Sequence, residues 1–170
     1  MLKLLRKNLG FSILEIVVAS GLVTVGLIGL ASLVIYNIQA FSINRDNLIA
    51  AQLAKEGIEL VRNIRDTNWR DSTKTWKEDI VSDGTYTIYY DNPRSTINSS
   101  ANSVDDAAAR LYINVNGFYQ HGSGTPTQFF RLISITEDTN DYITVLAHVR
   151  WSNRGQIHNY QVSTRLYDWR

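Results

Sequence analysis

The sequence predicts an α+β protein in which one long N-terminal helix packs its second half against an antiparallel β-meander of about four or five strands. Three observations carry that prediction. Phe11 to Tyr36 is an apolar run with a single charged side chain, Glu15, and no proline. In the following "NLIAAQLAKEGIELVRNIRD", Ala50, Leu53, Ala54, Gly57, Leu60, Val61 and Ile64 recur at spacings of three and four, an apolar stripe of helical period. After residue 84 come five runs rich in β-branched and aromatic residues, separated by turn signals.

The first ten residues, "MLKLLRKNLG", are a short basic leader carrying Lys3, Arg6 and Lys7. A helix over 11–36 reaches about 39 Å at ~1.5 Å per residue, enough to cross a ~30 Å hydrocarbon core. Basic residues stay on the cytoplasmic side, so the expected topology is a single span of the cytoplasmic membrane with the C-terminus outside. Glu15 is the anomaly, because a carboxylate at that depth costs a few kcal/mol to insert. Two ordinary readings leave it unexplained. One is a plain membrane anchor for an extracellular binding module. The other is a secretory signal cut after Ser20 at "VAS", which releases an adhesive domain beginning at Gly21.

A third reading uses every odd feature together. "GFSILE", with a basic leader ending in glycine, an aromatic residue, a glutamate four positions on and about twenty apolar residues, resembles the type IV prepilin signal. The resemblance implies a pilin-like fold and cleavage between Gly10 and Phe11 by a prepilin peptidase/methyltransferase. It also implies N-methylation of Phe11 and assembly through Glu15. The implied partners are that enzyme, other pilin subunits, the inner-membrane assembly platform, and membrane lipid before assembly. The implied destination is an extracellular pilus or a periplasmic or cell-wall pseudopilus, including the pseudopilins of type II secretion and DNA uptake. The segments "QLAKEGIELVRNIRDTNW", "GFYQHGSGTPTQFFRLISI" and "VRWSNRGQIHNYQVSTRLYDW" resemble minor pilins of the pilus modification protein family. One departure is the missing helix-kinking proline of many pilins; Gly21, Gly26 and Gly29 are the weak points instead, at roughly 1 kcal/mol each.

The remaining elements follow in order. The amphipathic half of the helix is expected over 37–66, making a helix roughly 84 Å long from Phe11. Lys55 with Glu59, Glu59 with Arg62, and Arg62 with Asp66 have the spacing of solvated pairs. Ala50, Ala54 and Gly57 leave room for a sheet to approach. A connector over 67–84 holds Trp69 and Trp76, and the head spans 85–170. Its strands are expected at "TYTIYYD", "ARLYINVNGFY", "QFFRLISITE", "YITVLAHVRWS" and "QIHNYQVSTRLYDW", with hairpin turns at "EDTND" and "SNRG". In the fourth strand Ile143, Val145, Ala147, Val149 and Trp151 share one face, and Thr144, Leu146, His148 and Arg150 the other.

Composition narrows the chemistry. The net charge of +1 points to no nucleic-acid partner, and the absence of cysteine removes disulfides, thiolate catalysis and cysteine-ligated metal. His121, His148 and His158 are the only histidines, the last two on strands whose register decides whether they share a face. Two histidines without a third ligand make a weak metal site. Glu137, Asp138, Asn140 and Asp141, and separately Asp105 with Asp106, gather oxygen ligands without EF-hand spacing, and turn formation explains both. No nucleophile elbow, P-loop or dinucleotide fingerprint is present, so no enzyme and no cofactor is expected. The polar stretch Asp91 to Arg110 reads as a recognition or mobile loop, and Trp69, Trp76, Tyr119 and Trp169 as covers for the edges of a small core.

Overall fold

The computed structural model describes residues 10–80, 83–90, 101–139 and 141–168, with backbone alone at 138 and 139. Helix α1 spans Ile13–Arg70 and is continuous through Gly21, Gly26 and Gly29. Both prolines of the chain, Pro93 and Pro126, lie beyond it, so no backbone N–H is missing from its ladder. The chain divides into two compact units, Met1–Asn44 and Arg45–Arg170. The first contains the apolar helix, and the second is the head.

The helix runs to Arg70, four residues beyond the expected Asp66, and its end has a local cause. Asp71 Oδ1 accepts from the backbone N–H of Thr73 at 3.1 Å and from the Thr73 hydroxyl at 2.6 Å, a turn that competes with another helical residue. The buried Asn68 amide, one turn earlier, donates to the carbonyls of Trp76 and Glu78 and pins the connector back onto the helix. Trp69 and Trp76 are buried and close the core at this end, as their composition predicted. Trp169 lies outside the described residues.

The head sheet has six strands: β1 (Gly84–Tyr86), β2 (Arg110–Ile113), β3 (Tyr119–His121), β4 (Thr125–Thr139), β5 (Tyr142–Asn153) and β6 (Gln156–Tyr167). All pairings are antiparallel and the order is β3-β2-β4-β5-β6, with β1 also paired to β4. The expected meander of four or five strands is corrected on two counts. "ARLYINVNGFY" is a hairpin rather than one strand, because Asn114 Oδ1 accepts from the N–H groups of Asn116 and Phe118 and Gly117 adopts φ +84°. The chain then leaves β3 and re-enters on the far side of β2 through Gly122, Ser123 and Gly124 alone. Gly124 has φ +123°, and a Cβ there would sit 2.5 Å from the Ile113 carbonyl oxygen, so only glycine makes this crossing.

Strands β4, β5 and β6 follow the expected periodicity closely. On β5 the alternation is complete: Ile143, Val145, Ala147, Val149 and Trp151 are buried while Thr144, Leu146, His148 and Arg150 are half-exposed. The turn to β6 is a two-residue loop with Arg154 at φ 52° and Gly155 at φ 80°, the pairing that matches strand twist. At the other hairpin, Thr139 pairs with Tyr142 after a register shift, and Asn140 lies outside the described residues. The helix contributes Ala50, Leu53, Ala54, Ile58, Val61 and Ile64 to the core against Ile133, Ile135 and the buried face of β5. Each large aliphatic buried there contributes ~1.5–3 kcal/mol. Leu60, expected in the stripe, is half-buried at its margin, and Ile58 is buried instead. Among the expected charge pairs, Arg62 meets Glu59 at 2.6 Å, whereas Asp66 is taken by its neighbour Arg65 at 2.9 Å.

The second face of the sheet is partly covered as well. Ala101, Val104 and Ala109 pack on Leu132, with Ala108 and Phe130 at the margin. Residues 101–109 of the expected polar loop are therefore a cover for the sheet, made from small side chains that composition alone reads as solvated; residues 91–100 lie outside the described residues.

Helix and sheet come close together at Gly57, where a Cβ would lie 2.6 Å from Ile133 Cδ1. Gly57→Ala adds the better helix former yet is expected to destabilise the protein by ~1–3 kcal/mol, because the clash outweighs the ~1 kcal/mol propensity gain. Urea unfolding midpoints of Gly57→Ala, Ile133→Val and the double variant check this. Ile133→Val removes the obstructing Cδ1, so the double variant should be more stable than the sum of the singles predicts.

Candidate functional site

The predicted site residues lie at the start of α1. Ile16 N–H donates to Ser12 O at 3.2 Å, so the helix opens immediately after the Gly10–Phe11 junction. Gly10 is exposed, with open space around it among the described residues, and Phe11 is 77% exposed, which leaves the peptide bond between them accessible. Glu15 falls in the first helical turn, four residues from Phe11. Phe11 lies just ahead of the helix, whose first residue is Ile13, and the carboxylate sits at the positive end of the helix dipole.

From this junction to Asn44 the described surface is almost wholly apolar. Glu15 is the only charged residue between Phe11 and Asn44, and the large side chains from Ile13 to Phe41 are exposed. Three hydroxyls are satisfied within the helix: Ser20 donates to Val17 O at 2.9 Å, Thr24 to Ser20 O at 2.8 Å and Ser32 to Ile28 O at 2.9 Å. Such back-bonding lets serine and threonine enter an apolar medium without an open hydrogen bond. α1 is long and apolar enough to span a membrane, and no part of its most apolar window is buried within the protein. An isolated apolar surface of this extent requires lipid or protein to cover it.

The head contains two buried groups of a kind sequence reading placed elsewhere or overlooked. Arg131 lies on the core face of β4 and is 1% exposed. Its Nη1 donates to Leu53 O at 3.2 Å and pairs with Glu56 Oε1 at 3.2 Å, both on α1. Nη2 donates to Ile88 O at 3.0 Å, on the segment after β1. The signal was available in "FFRLISI", where Phe129, Arg131, Ile133 and Ile135 alternate into the core. A second tie is Asp46, buried at 1%, which accepts from Asn153 Nδ2 at 2.7 Å and so fixes the β5–β6 hairpin to the helix.

His121 is 2% exposed, stands edge-on to Tyr89, and has no hydrogen-bond partner at either ring nitrogen among the described residues. Burial pushes its pKa down to about 3, and the nearby Arg131 guanidinium adds to this. The carbonyls of Ala108 and Arg110 oppose the shift, but neither forms an aligned hydrogen bond, so burial prevails. The neutral ring is an apolar filler here rather than a ligand or base.

The remaining candidates separate. His148 and His158 occupy opposite faces, since His148 pairs across from Gln161 and His158 from Trp151. His148 Nε2 is 3.0 Å from Asn159 Oδ1, and His158 stacks on Trp151 at 5.3 Å. Asp106 Oδ2 accepts from the N–H groups of Asn102 and Ser103, and Asp105 pairs with Arg150. Glu137 pairs with Lys77. These acidic groups are held by the turn, by arginine and by lysine, and among the described residues no group of three His, Cys, Asp or Glu is arranged to hold a metal ion. Tyr119 is half-buried against Phe129.

The low pKa of His121 predicts the sign of a pH effect. The ring is neutral when folded and protonates near 6.5 when unfolded, so its contribution is intact above pH 6.5. It is lost as pH falls towards 3, at roughly 1.4 kcal/mol per pH unit. Between pH 7 and pH 5 the wild-type protein should lose ~2 kcal/mol that His121→Phe does not, read as the difference in urea midpoints. Parallel pH profiles for the two proteins would contradict this account.

No family model, no curated protein and no solved structure matches this chain.

Proposed function

We propose that the chain is a structural subunit, of the minor class, of a type IV pilus or related pseudopilus. It is made with a leader, inserted through α1 with its head outside, cut after Gly10 and then packed through the apolar helix into a filament. The observation that carries the reading is the position of Glu15, the one charge between Phe11 and Asn44 on the exposed apolar stretch of α1, about a turn after an accessible Gly10–Phe11 junction. The head supports it as a head of the expected kind, an antiparallel sheet with the second half of the helix in its core.

The physical argument concerns a partner for the carboxylate. In lipid or in a filament core, ionised Glu15 needs a cation close by. Cutting between Gly10 and Phe11 creates an α-amine at the head of the same apolar segment, and methylation keeps that amine basic. Within one chain the amine lies just ahead of the helix, four residues before Glu15; between neighbouring chains the same pair fixes the axial register of one helix against the next. The subunit performs no catalysis and is itself the substrate of the peptidase/methyltransferase. A permanently anchored binding module is the competing reading, favoured by the fact that exposed apolar surface alone suits a plain anchor equally well.

Mass spectrometry of the protein extracted from membranes separates these readings. A chain beginning with methylated Phe11 is the expected outcome, whereas an intact Met1 supports the anchor and a start at Gly21 the secreted domain. Glu15→Val should be inserted and cleaved like the wild type while its recovery in sheared filaments falls by roughly tenfold or more. Normal incorporation of that variant would remove the assigned role of Glu15.

A further inference from the structure

Among the described residues strand β6 ends the sheet, so its backbone has a neighbour there on one side only. Asn153 and Gln156 close a two-residue turn, and that pair and every second pair after it exchange hydrogen bonds with β5. The residues between them, Ile157, Asn159, Gln161 and Ser163, therefore turn their N–H and C=O groups away from β5, and all four are exposed. The usual protections of such an edge are missing. Gln156–Tyr167 contains neither proline nor lysine, and its twelve residues pair with β5 without a bulge. Apolar side chains sit along it, with Ile157 58% and Tyr160 37% exposed.

The side chains identify a partner. In an antiparallel pairing of β6 with a second β6 centred on Gln161, Asn159 faces Ser163, His158 faces Thr164, Tyr160 faces Val162 and Gln161 faces itself. These are polar pairs and an aromatic–β-branched pair, the combinations that stabilise neighbouring strands. Arg165, the only Lys, Arg, Asp or Glu on the strand, falls opposite Ile157. The two copies of Arg165 are then about 27 Å apart, well beyond the ~8 Å screening length.

We propose that β6 is a self-recognition edge, through which two copies of this chain join their heads by an antiparallel β6–β6 pair centred on Gln161. The outward N–H and C=O groups of Ile157, Asn159, Gln161 and Ser163 are satisfied by the same groups of the second copy, and the two sheets become one. The inference stands apart from the filament reading. It uses only the edge of the head sheet and none of the apolar residues before Asn44.

The chain has no cysteine, so one introduced thiol is unique. Across the new pair Gln161 meets its copy at a Cα separation of about 5.5 Å, within disulfide range, whereas the two copies of Ser163 are about 14 Å apart. In mildly oxidised full-length protein in detergent, Gln161→Cys should give roughly ten times more disulfide dimer than Ser163→Cys, or than Asn116→Cys at the exposed β2–β3 turn. A mixture of Asn159→Cys and Ser163→Cys should cross-link where Ser163→Cys alone does not. By light scattering, wild-type protein should be dimeric and Gln161→Lys, which sets two cations face to face, monomeric with an unchanged circular dichroism spectrum. A monomeric wild type, equal cross-linking at all positions, or a dimer indifferent to Gln161→Lys would overturn the proposal.

Discussion

A single guanidinium holds the head together. Arg131 projects from the central strand β4 into the space between sheet and helix, where apolar side chains surround it on the same face. A buried charge is costly unless it is paired and hydrogen-bonded, and here the backbone of Leu53, the backbone of Ile88 and the carboxylate of Glu56 serve the two terminal nitrogens, while Nε has no partner among the described residues. Those three partners come from one turn of α1 and from the segment after β1, parts of the chain that nothing local would bring together. The arrangement restricts how the helix can lie on the sheet. Sliding or rotating it would strand a cation in the core, whereas a wholly apolar interface would tolerate several registers.

The neighbouring features depend on that placement. Gly57 lies against Ile133 Cδ1 and close to the Arg131 side chain, so the helix can come near enough for Leu53 and Glu56 to reach the guanidinium. His121 shares the same interior and stays neutral partly because Arg131 is charged. Asp46 with Asn153 at one end of the sheet, and Asn68 with the connector at the other, hold the ends of the helix in the register that Arg131 sets in the middle. Polar groups thus specify position, while the aliphatic residues around them supply most of the stabilisation.

The two units of the chain use the same helical backbone for opposite purposes. From Arg45 onward α1 buries one stripe and leaves charged residues such as Lys55 and Glu59 in water. Before Asn44 it buries nothing within the protein and shows a nearly unbroken apolar surface. The proposed processing at Gly10 and pairing at Glu15 act entirely within the first unit. The head's exposed β6 edge offers an independent surface, so assembly through the helix and recognition through the sheet need not compete for residues.

Much of this was legible locally. The apolar span, the stripe from Ala50 to Ile64, the faces of β5 and the Arg154–Gly155 turn each depend on periodicity or backbone preference within a few residues, and the structure has them where the sequence places them. The Gly10–Phe11–Glu15 pattern is likewise short-range, and the structure adds only its exposure. What the sequence by itself determined was therefore the long helix, the strands β4 to β6 and which face of each is apolar. Tertiary structure alone decided that the chain crosses β2 at Gly124, that residues 101–109 cover the sheet, that Arg131 is buried rather than snorkelling to water, and that the two strand histidines face apart. Those outcomes depend on which distant segments become neighbours. Pairing energies between remote residues leave no period in the sequence, and a buried arginine becomes intelligible only when its three acceptors are seen to converge.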